Sequence, residues 1–134
     1  IVQALRRRGY KATPQRMAIC RFALSRRDHP TAQKLYSEVK KTHPTLSLAT
    51  VYKTLQVLNK LNLVQELPFP GKETRFDSYV GPHLNLVCVR CGSIRDVNTS
   101  VAKEMISRAA TRAGFELAGQ RLDLYGFCEN CRKK

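Results

Sequence analysis

Ser47-Leu48-Ala49-Thr50-Val51-Tyr52-Lys53-Thr54-Leu55-Gln56-Val57-Leu58-Asn59-Lys60 reads as a helix with two unlike faces. Leu48, Val51, Leu55 and Leu58 recur at i, i+3, i+7 and i+10, so a 3.6-residue period aligns them on one stripe and predicts its burial. The opposite side carries Ala49, Lys53, Gln56 and Lys60, with Thr50 near it and Tyr52 on its flank. Ser47 stands where a hydroxyl can accept a hydrogen bond from an orphan N–H of the first turn. Small, polar and basic groups pointing outward suit a surface that meets a polyanion. Taken alone, the segment fits an ordinary amphipathic surface helix equally well, and its neighbours decide between the two.

Upstream, residues 1–8 read as a short helix ended by Gly9. Thr13-Pro14 is an N-cap followed by proline at the first helical position, where a missing N–H costs nothing, and that helix should run to about Leu24. Cys20 lies among Met17, Ile19 and Leu24 and reads as a buried small hydrophobe. His29-Pro30-Thr31 opens a further helix, capped by Thr31, with Leu35 and Val39 inward, ending before His43-Pro44; His43 reads as a surface turn residue. Two helices joined by a short turn, the second with a basic outer face, make a helix-turn-helix. Downstream, Leu63 to Leu67 reads as a strand, Pro68-Phe69-Pro70-Gly71-Lys72 as a turn and Glu73 to Asp77 as the returning strand, the wing of a winged helix. Lys72 at its tip and Arg75 beyond can reach backbone phosphate.

Charge supports this reading. The 134 residues carry a net charge of +14, with 13 Lys and Arg against 3 Asp and Glu in residues 1–67 and 11 against 7 in residues 68–134. A half so biased should bind nucleic acid with strong salt dependence, because neutralised phosphates release counterions. Charge alone is equally compatible with mere solubility; helix order, hairpin and charge together point to double-stranded DNA. No stretch approaches the roughly 20 apolar residues that span a membrane. Ile1-Val2-Gln3-Ala4-Leu5-Arg6 shows no secretory core, so a cytoplasmic chain with reduced thiols is expected.

The second half carries two Cys-x-x-Cys pairs, Cys88/Cys91 and Cys128/Cys131, with 36 residues between them. Four thiolates in two tight turns are the ligand set of a structural tetrahedral zinc site; the rival is two disulfides. A closed four-sulfur site leaves no position for substrate, which argues for stability and against an enzyme. Gly81-Pro82 marks a hinge, so the expected organisation is 1–77 DNA-binding, 78–83 hinge and 84–134 a small second domain. Within it, Leu84 to Val89, Ile94 to Val97, Phe115 to Leu117 and Arg121 to Tyr125 read as strands. Ser100 to Ala113 reads as a helix, ended by Gly114, with Val101, Met105, Ile106 and Ala109 facing a core. A domain of about 50 residues sits near the limit for unaided stability, and structural zinc contributes on the order of 10 kcal/mol to folding.

A winged helix, a hinge and a small α/β domain stapled by two Cys-x-x-Cys pairs resemble the ferric uptake regulator (Fur) family, an α+β architecture. The resemblance spans essentially the whole chain. It is carried by Ala12-Thr13-Pro14-Gln15-Arg16, His29-Pro30-Thr31-Ala32, Ser47 to Leu55, Arg75-Phe76-Asp77, the Cys88/Cys91 knuckle and Tyr125-Gly126-Phe127-Cys128-Glu129-Asn130-Cys131. It implies a homodimeric, metal-dependent repressor on a palindromic operator, dimerised through the second domain. Tyr52 and Lys53 match family positions at the DNA surface, and Thr50, Gln56, Arg16 and Lys72 complete the candidate DNA contacts. The family's sensing metal sits between the two domains, and the ligands it implies here are His29, Asp77, His83 and Asp96. The second histidine of the family's His-x-His pattern falls on Asn85, a departure that makes the set richer in oxygen. Such a set suits Fe²⁺ or Mn²⁺ better than zinc or copper. Asp at both 77 and 96 resembles the peroxide-sensing (PerR) branch, in which bound Fe²⁺ reacts with peroxide and ligand histidines are oxidised; His29 and His83 match those histidines.

Other readings stay on the page. A plain iron, manganese or zinc uptake regulator shares all these motifs. A metal-independent nucleic-acid-binding protein would share only the charge. A zinc deaminase needs an open zinc position and a Glu two residues after a His, and no His here is so followed.

Overall fold

The computed structural model describes residues 1–69 and 72–133, so the Pro70-Gly71 part of the expected turn lies outside the described residues. The chain divides into two compact units, Ile1–Val80 and Gly81–Lys134.

The first unit is built from α1 (Val2–Arg7), α2 (Pro14–Ser25), α3 (Ala32–Lys40), α4 (Leu48–Lys60), β1 (Gln65–Phe69) and β2 (Lys72–Asp77). Local chemistry sets each helix boundary. The Thr13, Thr31 and Ser47 hydroxyls accept from the N–H groups of Arg16, Lys34 and Thr50 at 3.2, 3.1 and 3.2 Å. At the far end of α1, Gly9 adopts φ 78°, and the N–H groups of Gly9 and Tyr10 close on the Arg6 and Leu5 carbonyls. A side chain at that φ would be strained, which is why glycine serves there. The helices α2, α3 and α4 pack together around Ile19, Leu35, Val51, Leu55 and Leu58, all fully buried or nearly so, with Leu5, Leu46, Val64 and Phe76 closing the cluster. The stripe of α4 differs from the sequence period: Leu48 is only half-buried, Thr54 and Val57 are buried as well, and the Thr54 hydroxyl is satisfied by donating 2.8 Å to the Thr50 carbonyl.

The wing differs from expectation at both ends. Leu63 and Val64 belong to the exit of α4, not to a strand. Asn62 takes φ 55°, and the Leu63 N–H bonds the Leu58 carbonyl at 2.9 Å, so β1 starts at Gln65. Pro68 and Phe69, expected in the turn, extend β1, and Lys72 already pairs with Phe69. The antiparallel register shifts between Leu67 and Phe69, where a residue lacking an N–H is tolerated.

The second unit holds β3 (Leu84–Cys88), β4 (Ile94–Val97), α5 (Ser100–Ala113), β5 (Leu122–Gly126) and α6 (Glu129–Arg132). The sheet order is β4-β3-β5, with β3 antiparallel to β4 and parallel to β5. Parallel pairing requires a long crossover, and α5 lies in it. Two expectations are corrected here. Val101 is 70% and Met105 53% exposed, Ala109 is exposed and Ile106 half-buried; Ala102 is the residue that α5 buries. Periodicity identified an apolar face but not what covers it. Phe115 to Leu117 is not a strand, because the Phe115 N–H closes the helix end on the Ala110 carbonyl at 2.9 Å, beside Gly114 at φ 68°.

Candidate metal centres and nucleic-acid face

The four pair cysteines meet as the spacing predicts. Cys88 ends β3 and is buried, Cys91 follows a turn closed by the Gly92 N–H on the Cys88 carbonyl at 2.9 Å, Cys128 caps α6, and Cys131 lies buried in its last turn. All four sulfurs lie within 4.8 Å of one another, and Cys91 Sγ is 3.8 Å from Cys128 Sγ. Zinc–sulfur bonds of about 2.3 Å give a tetrahedral edge near 3.8 Å, whereas a disulfide needs about 2 Å. All five cysteines are free thiols. The Cys128 N–H aimed at Cys88 Sγ pulls that thiol down to about 5, and the Ser93 hydroxyl lowers Cys91. Cys131, hydrogen-bonded to Cys128, is instead pushed up to about 12. Four converging sulfurs cannot all be anionic without a countercharge, and a divalent soft cation supplies it. Cys20 is buried at 0% exposure, and burial pushes its thiol up, as expected of a packing residue.

In the second unit, His83, Asn85 and Asp96 converge. Asn85 is the second residue of the central strand, directly opposite Asp96 on β4 and Asp123 on β5. His83 Nε2 lies 3.1 Å from Asn85 Oδ1 and 3.8 Å from Asp96 Oδ1, with His83 and Asn85 both buried. His83 Nδ1 is 2.8 Å from the Gly81 carbonyl, which can only accept, so Nδ1 carries a proton and donates. The other ring nitrogen, Nε2, faces the Asn85 and Asp96 side-chain oxygens. One nitrogen and two oxygens converging in this way can ligate a metal ion. A ligand histidine whose other nitrogen donates to a backbone carbonyl is the usual arrangement at metal sites, so these residues fit a cation of the kind the sequence implied.

In the first unit, His29 and Asp77 lie together. Both are buried, with His29 Nε2 3.8 Å from Asp77 Oδ2. Asp77 Oδ1 accepts the Tyr79 N–H at 2.9 Å, which holds the carboxylate at the end of β2. His29 adopts φ 52°, a costly conformation for a residue with a Cβ, and its carbonyl accepts from Arg75 Nη1 at 3.0 Å. Arg75 thereby ties the returning strand to the start of α3, which also bridges through Thr31.

On α4, Tyr52, Lys53 and Gln56 are exposed, as are Ala49 and Lys60. Lys72 is exposed at the start of β2. Thr50 is half-buried with its hydroxyl 2.9 Å from the Ser47 hydroxyl, and Arg16 is half-buried with Nη1 donating 2.7 Å to the Lys11 carbonyl. Both have local structural work besides any contact with DNA. His43 lies in the turn after α3, its Nδ1 2.9 Å from the Thr42 hydroxyl. Asp123 escaped the sequence reading. In Leu122-Asp123-Leu124 it looks like an outward polar residue, and only the β3–β5 register places it beside Asn85.

A family model described as the ferric uptake regulator family matches residues 7–125. The peroxide-responsive repressor PerR of Staphylococcus saprophyticus is 33% identical over 133 residues, covering 99% of this chain and 90% of that protein. The Campylobacter jejuni peroxide stress regulator superposes with a TM-score of 0.77 at 35% identity, covering 98% of both chains. The Pseudomonas aeruginosa ferric uptake regulator, solved with manganese, gives a TM-score of 0.80 at 27% identity over 95% of this chain and 96% of that one.

Proposed function

The chain belongs to the ferric uptake regulator family, and from that premise we propose that it is a metal-dependent transcriptional repressor of the peroxide-responsive kind. The family members it resembles are transcription regulators, not enzymes, and a four-sulfur site offers no open position for substrate. Zinc holds the Cys88/Cys91/Cys128/Cys131 set as a structural ion. The regulatory ion, Fe²⁺ or Mn²⁺, draws on His29 and Asp77 of the first unit and on His83, Asn85 and Asp96 of the second. The observation that carries this reading is the convergence of His83 Nε2, Asn85 Oδ1 and Asp96 Oδ1, one nitrogen and two oxygens able to ligate a cation. Its support for iron or manganese is the oxygen share of the set.

Residues from both units binding one ion would couple metal loading to DNA binding, since an ion shifts an equilibrium only by its differential affinity for the two states. The first unit presents α4 to the major groove, with Tyr52, Lys53 and Gln56 toward bases and phosphates and Lys72 toward the backbone. The second unit dimerises. Among the described residues it buries few apolar side chains of its own, and it exposes Leu86 beside its cross-strand partner Leu124, together with Val101 and Met105. A two-fold dimer places two such helices on a palindromic operator, in the cytoplasm. Bound Fe²⁺ would supply the one-electron chemistry by which peroxide oxidises an imidazole, and His29 and His83 are the imidazoles in place.

Operator binding followed by fluorescence anisotropy at fixed salt tests this. The protein keeps its structural zinc, and Mn²⁺ or Fe²⁺ is added before and after peroxide. Tight binding with either ion, lost on peroxide in the iron sample alone, is the expected result. Metal-dependent binding indifferent to peroxide would make the protein a metal-uptake regulator, and binding indifferent to metal would overturn the reading.

A further inference from the structure

Asn85 occupies the place of an imidazole, and its amide can present either oxygen or nitrogen to the position beside His83. We propose that Asp123 is a positioning residue that fixes the Asn85 amide with its oxygen toward the metal, so that Asn85 serves as an oxygen ligand. The inference rests on the metal-site reading above and deepens it.

The argument is one of donors and acceptors. Asn85 Nδ2 donates to Asp123 Oδ1 at 3.0 Å, across the β3–β5 pair. Asp123 is itself held from the other side: Arg121 Nε lies 3.1 Å from Oδ2, and the Tyr125 hydroxyl donates to Oδ2 at 3.4 Å. Its Oδ1 is thus turned to β3 as an acceptor. Were the amide reversed, two acceptor oxygens would face each other at the Asp123 contact. The reversed amide would exchange its hydrogen bond to a carboxylate for one to the His83 ring. Hydrogen bonds to charged acceptors are roughly twice as strong, so the observed orientation wins. The consequence is that Asn85 Oδ1 joins His83 Nε2 and Asp96 Oδ1 as the third inward-facing donor atom of the second unit. Asn85 is 0% exposed, so water does not compete for that oxygen. No such role follows from the composition of β5, because an Asp in an alternating strand normally faces solvent.

The test is Mn²⁺ binding to the zinc-loaded protein, read from the EPR signal of free Mn²⁺, with zinc content and melting temperature as controls. Asp123→Asn replaces an obligate acceptor by a group that can donate to the amide oxygen, and should weaken Mn²⁺ about 10- to 100-fold, the range typical of outer-shell partners of a metal ligand. The exchanged pair N85D/D123N restores one hydrogen bond across the strands and offers a carboxylate oxygen at position 85; it should bind Mn²⁺ at least as tightly as the parent chain. A merely structural Asp123 predicts no such rescue. Unchanged Mn²⁺ affinity in Asp123→Asn, or an exchanged pair no better than Asp123→Asn alone, would overturn the proposal. Should Asp123→Asn unfold, Asn85→Ala, which leaves Asp123 with Arg121, carries the same test: loss of affinity is expected and parental affinity overturns. His83→Ala separates the two levels. If it removes Mn²⁺ binding while Asn85→Ala binds like the parent, only the Asn85–Asp123 inference falls; if it too leaves Mn²⁺ binding intact, the metal-site reading falls.

Discussion

Asn85 sets the chemistry of the proposed regulatory site at the scale of one residue. An amide oxygen is harder and less basic than an imidazole nitrogen, so the ligand set leans toward Mn²⁺ and Fe²⁺. Asn85→His should therefore raise affinity for Zn²⁺ more than for Mn²⁺, visible as a changed ratio of the two dissociation constants in competition titrations; an unchanged ratio would show that position 85 does not contact the ion. Lys53 acts at the same scale. It is exposed on α4 and free of a role in the packed core. Lys53→Ala should weaken operator binding, reduce the slope of log K against log salt by about 1 and leave Mn²⁺ affinity unchanged. A slope equal to that of the parent chain would remove Lys53 from the phosphate contacts.

At the scale of elements, α4 depends on its cap. Ser47 accepts the Thr50 N–H and also meets the Thr50 hydroxyl. Ser47→Ala should lower stability by about 1 kcal/mol in denaturant melts, with operator affinity falling because the first turn carries the contact face. Helix boundaries of this kind were legible in the chain because each signal is local: a hydroxyl, a proline at the first position, a glycine one residue past the end. Less was legible wherever a partner decides. The Leu63-Val64 pair looks like the start of a strand, yet the left-handed Asn62 keeps it on the helix exit. The apolar stripe of α5 was read correctly as a stripe, but it does not face a core within its own chain, where Val101 and Met105 are exposed. Of the metal residues, the four cysteines announce themselves by spacing. Asp123 does not, because strand register is a property of the sheet and not of either strand.

At the scale of the whole molecule, the first unit has a sizeable core, and among the described residues the second buries few apolar side chains. Among the described residues the first unit buries fourteen core residues in one cluster, so it should survive chelation. The second would lean on the zinc proposed for its four sulfurs and, in the proposed dimer, on a second copy. Removing zinc with a strong chelator, or substituting Cys88→Ser, should unfold residues 81–134 while leaving the helical signal of the first unit. Two separated transitions in thermal melts are expected, and a single parental transition without zinc would remove the ion from the stability of this unit. Met105→Glu should place a charge in the proposed dimer contact and shift the species seen by light scattering from twice the chain mass to once that mass. A dimer of undiminished stability would relocate the interface.

The parallel pairing of β3 with β5 carries a further consequence, in time instead of free energy. Leu84 must meet Leu122 and Cys88 must meet Gly126, contacts far apart along the chain, whereas each of α1 to α4 closes its own backbone hydrogen bonds within a turn. Non-local pairing makes a barrier slow to cross because loop entropy is lost before contacts form. After dilution from denaturant the helices of the first unit should therefore appear early, and the second unit later, at a rate that rises with free zinc until capture of the ion by the two knuckles ceases to limit it. A freshly made chain would on this account be helical before it is able to pair with a copy of itself, and stopped-flow mixing at graded zinc concentrations would reveal that interval.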